Sequence, residues 1–304
     1  MKHKQTGRRI KDCASDRALY GVVNALLALM MLLVAYPLLN ILSSSFSSPR
    51  AVSTGRVVLL PVEFSLLGYQ TVFAHRLIGI AYRNTIFYSL AGTLINLTMV
   101  LTCAYPLSRR DFPLRSPLMI ACLITMYFSG GMIPTYLVFR SYGLLNRFAA
   151  YVLPGMVSAY YVILVKTYIE SLPPALEESA VLDGARYDQI ILRLIVPLSV
   201  PIIATIAIYS AVGQWNSWFD NHIYTFRNKK LLTLQYMLYN YLQEAEALAK
   251  LMAESSEVIR AEDYITPTGV KMTVTLITVL PILLVYPFLQ RFFIKGIMIG
   301  AVKG

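Results

Sequence analysis

The sequence predicts an all-α polytopic membrane protein with six transmembrane helices, and three observations carry that reading. Of 304 residues, 57% are hydrophobic and only 14% charged, against about 45–50% and about 25% in soluble domains. Six apolar segments match the roughly 20 residues that a spanning helix needs: residues 18–42, 85–107, 116–139, 149–169, 198–218 and 270–288. None alternates in hydrophobicity as the roughly ten-residue strands of a membrane β-barrel do. Each must be helical, because lipid offers no partner for an unpaired backbone group. The composition argues against a soluble enzyme and against a disordered chain.

The elements follow in order. Residues 1–17 form a basic tail carrying Lys2, Lys4, Arg8, Arg9, Lys11 and Arg17. The first span, residues 18–42, has an apolar stretch of about 24 residues, longer than the about 7–15 of a signal-peptide core; an uncleaved helix is expected. Residues 43–82, with Ser43, Pro49, Gly55 and Pro61, read as an extended external connection. A membrane core follows over 83–291, then a tail over 292–304. The basic N-terminal block, with Arg109, Arg110 and Arg115 in the second loop and Arg291, Lys295 and Lys303 near the end, places both termini in the cytoplasm. The net charge of +11 thus reads as basic cytoplasmic ends and not as a nucleic-acid footprint. Residues 239–263 place Leu242, Ala245, Leu248 and Met252 at helical spacing among Glu244, Glu246, Glu254, Glu257, Glu262 and Asp263. That is an external amphipathic helix, either a solvated cap or a docking surface. Cys13, Cys103 and Cys122 form no CxxC pair, and His3, His75 and His222 are scattered, so neither disulfide nor metal site is expected.

The stretch 173–197 is the most informative. Pro173 and Pro174 suit a helix entry, and Glu177 and Glu178 fall in the first turn, where the helix dipole favours acids. Gly184 supplies a sharp turn after Asp183. A second short helix then presents Tyr187, Ile190, Ile191 and Leu194 on one face until Pro197 stops it. The product is a helix–turn–helix elbow on the membrane surface, with an apolar face not needed for spanning.

Glu178, Ser179, Ala180, Asp183, Gly184 and Ala185, followed by Ile195, Val196, Pro197, Leu198 and Pro201, resemble the EAA loop of bacterial ABC-importer permeases. The usual pattern is Glu-Ala-Ala-x-x-Asp-Gly-Ala and then an aliphatic-x-Leu-Pro ending. Ser179 replaces the first Ala and Val196 the Leu, both small or apolar changes. The resemblance covers the type I importer core, roughly residues 83–291. It is strongest to the carbohydrate-uptake branch that includes the maltose-transporter permease. The ending from Tyr286 to Gly304 is typical of that branch. With Gln214, Trp215, Asn216, Trp218 and Asp220 it resembles a subgroup for complex oligosaccharides in Gram-positive bacteria.

The resemblance implies that the elbow is a coupling helix docked into a cleft of an ATPase subunit. It implies coupling roles for Glu178, Ala180, Asp183, Gly184, Ala185 and Pro197, with the Glu178 carboxylate near a basic ATPase residue. It further implies a second homologous permease subunit, two copies of an ABC ATPase, an extracellular solute-binding lipoprotein, a sugar substrate and alternating access in the plasma membrane. The chain has no GxxxxGK[ST] loop to cradle phosphate and no hydrolase motif. It is expected to be a transport subunit without its own ATPase and with no cofactor of its own; ATP and Mg would sit on the partner.

For the substrate path, polar residues inside spans face the bundle interior. Gln214 and Trp218 are four apart on one helical face, with Trp215 and Asn216 beside them, and sugars are held by amides, carboxylates and aromatic faces. The same tryptophans equally suit an interfacial belt. Gly130 and Gly131, ahead of Pro134, should break the third span and either line the path or form a packing kink. Asn84 and Asn96 are weaker candidates, and Lys166 can snorkel to the interface. Competing readings are a permease for a non-sugar solute, a membrane enzyme or scaffold, and an ion-coupled carrier. The last would need mid-membrane charges and repeated broken helices, neither of which is evident.

Overall fold

The computed structural model describes residues 14–74, 76–254 and 267–301. The helices are α1 (Ala14–Ser45), α2 (Pro49–Ser53), α3 (Leu67–Ala74), α4 (Leu77–Ser108), α5 (Arg115–Tyr127), α6 (Met132–Ser141), α7 (Ala149–Val152), α8 (Ala159–Glu170) and α9 (Pro174–Leu182). Next come α10 (Tyr187–Gln189), a π-helix (Ile190–Ile195), α11 (Val196–Leu198) and α12 (Val200–Asn216). A second π turn (Asn221–Thr225), a 3-10 turn (Lys229–Leu231), α13 (Leu234–Glu254) and α14 (Pro267–Ala301) complete the order. Among the described residues there is no strand, only a single antiparallel bridge between Ser47 and Phe64.

All six apolar segments lie on helices, but they differ in continuity. Among the described residues, only α1 and α4 are single helices long and apolar enough to cross a membrane. The third segment is a bent pair, α5 and α6, turning by 116° at the break that contains Gly130 and Gly131. The fourth is divided by residues 153–158, where Pro154 removes a donor and Gly155 loosens the backbone. At about 1.5 Å per residue, α8 alone falls short of the about 30 Å hydrocarbon core. The fifth is α12, set at 80° to the helix before it. The sixth is the apolar run Gly269–Val285 of α14.

The described residues divide into two compact units, one of residues 14–69 and 267–276, the other of 70–74, 76–254 and 277–301. In the first, α1 is apolar on every face, and Leu27, Met30, Met31, Leu32 and Val34 all remain exposed, as suits a helix solvated by lipid. The stretch after it is more ordered than the extended connection its Ser, Pro and Gly content predicts. Asn40 Nδ2 donates to the Val57 and Val58 carbonyls at 3.0 Å, and Ser43 Oγ to the Leu59 carbonyl at 2.6 Å. Phe46 stacks between Phe64 and Tyr69. Small hydroxyl side chains let the returning chain approach closely, which composition alone does not reveal.

In the second unit α4 is the central helix, packed most extensively on α12 and α8. Its buried stripe runs through Ala81, Thr85, Tyr88, Gly92, Asn96, Val100 and Ala104. These side chains are mostly small or polar, as in membrane bundles, where close backbone approach and hydrogen bonds hold helices together. At the elbow end the packing turns aliphatic: Val100, Ala104 and Leu107 meet Val162, Val165, Ile169, Ile190, Ile195 and Ile206.

The polar members of the α4 stripe serve the irregular backbone around them. Asn96 Nδ2 donates to the Gly155 carbonyl at 2.7 Å, inside the break between α7 and α8. Asn84 Nδ2 donates to the Lys230 and Leu232 carbonyls at 2.7 and 3.0 Å, and Thr85 Oγ1 accepts from Leu234 N–H at 2.8 Å. Asn84 and Asn96, candidates for the path by sequence, thus donate to backbone carbonyls, while Asn96 Oδ1 is buried with no partner among the described residues. Thr85→Val keeps the shape but strands a buried N–H, and should cost about 1–3 kcal/mol. Thermal unfolding of the purified subunit in detergent measures this; equal stability of the variant would show the bond to be dispensable.

Candidate functional site

The first helix of the elbow forms as the sequence predicts. Pro173 is its extended N-cap and Pro174 its first helical residue, with Glu177 in the first turn. It ends in a Schellman motif: Gly184 N–H donates to the Val181 carbonyl and Ala185 N–H to the Ala180 carbonyl, each at 3.0 Å. Gly184 stands at φ +77°, the left-handed region, with nothing within 4 Å of where a Cβ would be. Conformation and not space therefore requires the glycine. Ala180 and Ala185 rest against the aliphatic cluster, while Asp183 caps the helix and is exposed.

The second half departs from expectation. After α10 the chain does not continue as an ordinary α-helix but widens into the π-helix, so its buried positions fall five apart, at Ile190 and Ile195. Ile191 and Leu194 pack at the margin of the cluster. Tyr187, expected on the same face, is 65% exposed. Pro197 does not stop the helix, which runs on through α11 to Leu198 before Ser199 breaks it. Pro197 has no N–H to donate, and a π turn just ahead of it fits that gap in the ladder.

Outward, the elbow presents Leu176, Val181, Leu182 and Tyr187, with Leu182 87% exposed. Glu178 is exposed there and has no partner among the described residues. Behind it lies a cleft of about 970 Å³, lined by Arg109, Arg110, Arg115, Glu170, Glu177 and Glu178 among others.

Glu177, one residue before the motif glutamate, faces inward. Arg109 pairs with its Oε2, and Tyr105 Oη donates to its Oε1 at 2.5 Å. The Glu177 and Arg109 side chains are 16% and 29% exposed. Burial opposes the Arg109 charge, yet Glu177, Tyr105 and Asp111 together hold its pKa above the ordinary guanidinium value. Beside this group, Glu170 accepts from Arg115 at 2.6 Å and from Lys166 at 2.8 Å, so Lys166 is ion-paired. By sequence, Arg109 and Arg115 read only as topology charges, and Tyr105 does not stand out. The signal that could have found them is the one-turn spacing from Tyr105 to Arg109.

Of the residues singled out in the fifth span, Asn216 and Trp218 meet α13 one turn apart, while Gln214 and Trp215 turn to other elements. Trp218 lies beyond the end of α12, which closes at Asn216, so it shares no helical face with Gln214. Gln214 packs against Gly92 and Gly155, where a Cβ would stand 2.9 and 3.1 Å from its side chain. Trp215 Nε1 donates to the Thr278 carbonyl at 3.1 Å. Asn216 Oδ1 accepts from Gln235 at 2.9 Å, and Trp218 stacks on Tyr239 with centroids 4.3 Å apart. Asp220 accepts from Ser217 Oγ at 2.6 Å; burial pushes its carboxyl pKa up, and that hydrogen bond offsets part of the shift. Gly130 and Gly131 sit in the exposed break between α5 and α6, Gly131 at φ +84°. The expected amphipathic helix is α13, running from Leu234 to Glu254; residues 255–263 lie outside the described residues.

No family model matches the chain. It is 34% identical over 295 residues to the polygalacturonan/rhamnogalacturonan transport system permease protein YtcP of Bacillus subtilis (strain 168), across 97% of this chain and 100% of that protein. It is 37% identical over 269 residues to protein LplC of the same organism, across 88% and 89%. The crystal structure of a bacterial ABC transporter involved in the import of the acidic polysaccharide alginate matches with a TM-score of 0.81 and 32% identity, over 93% of this chain and 99% of that one. Bent helices, an elbow between α8 and α12, and relatives aligned end to end lead to one conclusion: the chain belongs to the permease family of bacterial ABC importers, as a multi-pass membrane subunit.

Proposed function

We propose that this chain forms half of the pore of an importer for an oligosaccharide or a larger carbohydrate in the bacterial plasma membrane. A second homologous permease supplies the other half. Two ABC ATPase subunits bind at the elbow and hold the ATP and Mg, and an extracellular solute-binding lipoprotein delivers the sugar. The elbow and both termini face the cytoplasm, consistent with the basic N-terminal block. The observation that carries the reading is the elbow: a rigid turn closed by Gly184, an outward apolar patch and a glutamate, Glu178, with no partner among the described residues. Closure of the ATPases would move this lever and tilt the attached spans, opening the cavity alternately to either side. Carbohydrate as the cargo is supported by relatives that carry polygalacturonan, rhamnogalacturonan and alginate.

Two experiments test this on the complete transporter in proteoliposomes. Glu178→Lys should reduce sugar uptake by about thirtyfold or more, the scale for breaking a buried interfacial charge pair, while the subunit still inserts. Gly184→Val forces a β-branched residue into the left-handed region, at about 1–2 kcal/mol. It should lower uptake and receptor-stimulated ATPase together, whereas Gly184→Asn should retain most of both. Unchanged uptake in Glu178→Lys and Gly184→Val would remove the coupling assignment. A solute-binding protein whose melting temperature rises with amino acids, and not with oligosaccharides, would remove the carbohydrate assignment.

A further inference from the structure

The elbow is joined to the bundle by main chain that is poorly suited to pass on a push. At one end it leaves α8 through Ser171, Leu172 and Pro173. At the other it enters α12 through a π-helix and an 80° bend at Ser199. Such turns are compliant, and a lever held only by them would rotate without moving the spans. Side chains attach it further: Ile190 and Ile195 pack in the aliphatic cluster with Val100, Ala104 and Leu107 of α4, and α9 adds a polar attachment. Glu177 is held by two donors, Tyr105 Oη and the Arg109 guanidinium, from the last turn of α4 and the residue just past it. Tyr105 and Arg109 are one helical turn apart, so both reach the same carboxylate. A cation immediately after a helix C-terminus is also favoured by the helix dipole. Charge-assisted bonds of this kind are short and roughly twice as strong as neutral ones.

We infer that Tyr105, Arg109 and Glu177 form a clasp that carries movement of the elbow into α4, and through its packing into α8 and α12. The two adjacent glutamates then divide the work. Glu178 faces out toward the partner, and Glu177 faces in toward the bundle. The proposal rests on the coupling reading of the elbow but assigns positioning residues that the motif itself does not contain.

The test uses the complete transporter with its receptor in proteoliposomes and reads sugar moved per ATP hydrolysed. Glu177→Gln keeps size and an acceptor for Tyr105 but removes the charge. Sugar per ATP should fall about tenfold, the scale of losing a charge-assisted bond in a partly buried site, with the ATPase subunits still copurifying. Arg109→Glu should behave alike. The exchange Glu177→Arg with Arg109→Glu should recover part of the loss if the two residues act as a pair, the remainder reflecting charges reversed against both helix dipoles. The exchange is made in an Asp111→Asn background, because Asp111 lies 3.5 Å from Arg109. Tyr105→Phe should give an intermediate loss, and it decides the matter if Glu177→Gln fails to assemble. Unaltered sugar per ATP in Glu177→Gln or Tyr105→Phe, or an exchange no better than either single change, would overturn the clasp. Glu178→Lys separates the two levels. If it uncouples transport while the clasp variants do not, only the clasp is wrong; if both it and Gly184→Val have no effect, the coupling reading itself falls.

Discussion

Lipid provides neither hydrogen-bond partners for main chain nor a hydrophobic incentive for helices to associate, and α4 answers both demands in the second unit. Its stripe of small side chains lets α8 and α12 approach closely, with Gly92 giving room to Gln214. Its amides and hydroxyls supply what the broken backbone nearby lacks. Asn96 serves the interruption between α7 and α8, and Asn84 and Thr85 serve the turn before α13. One continuous helix thereby allows its neighbours to be discontinuous.

Those discontinuities have identifiable chemical causes. Gly130 and Gly131 permit the reversal between α5 and α6, Pro154 and Gly155 divide the fourth segment, and Ser199 separates α11 from α12. A bundle of straight rods has few ways to change shape. One with bends at set positions can move in rigid pieces about them, which is the kind of motion alternating access requires. The aliphatic cluster of Val100, Val165, Ile190 and Ile206 binds the pieces nearest the elbow into one body.

The elbow adds polar attachment to that apolar packing. Its Schellman turn makes it stiff, and Arg109 and Tyr105 seat it on α4 through Glu177. Arg115 and Lys166 seat the neighbouring end of α8 through Glu170. Around the cleft, Glu170 and Glu177 are ion-paired within the chain, whereas Glu178 and Leu182 are exposed.

The sequence by itself determined the helical class, the apolar segments and the elbow. These depend on local properties: an unbroken apolar run of about 20 residues, proline at a helix start, glycine where φ must be positive. The motif from Glu178 to Pro197 was legible for the same reason, since its spacing is set within two adjacent turns. Only the tertiary structure decided which polar residues serve packing and which remain for a ligand or partner. Gln214, Trp215, Asn216 and Trp218 are neighbours in sequence, yet Gln214 turns to Gly92 and Gly155, Trp215 to α14, and Asn216 and Trp218 to α13, because α12 ends between Asn216 and Trp218. Asn84 and Asn96 look free in the sequence, and only the fold brings distant carbonyls to meet them. Tyr105, Arg109 and Glu177 lie up to 72 residues apart; the one-turn spacing of Tyr105 and Arg109 puts them on one face, but only the fold brings Glu177 of α9 to it.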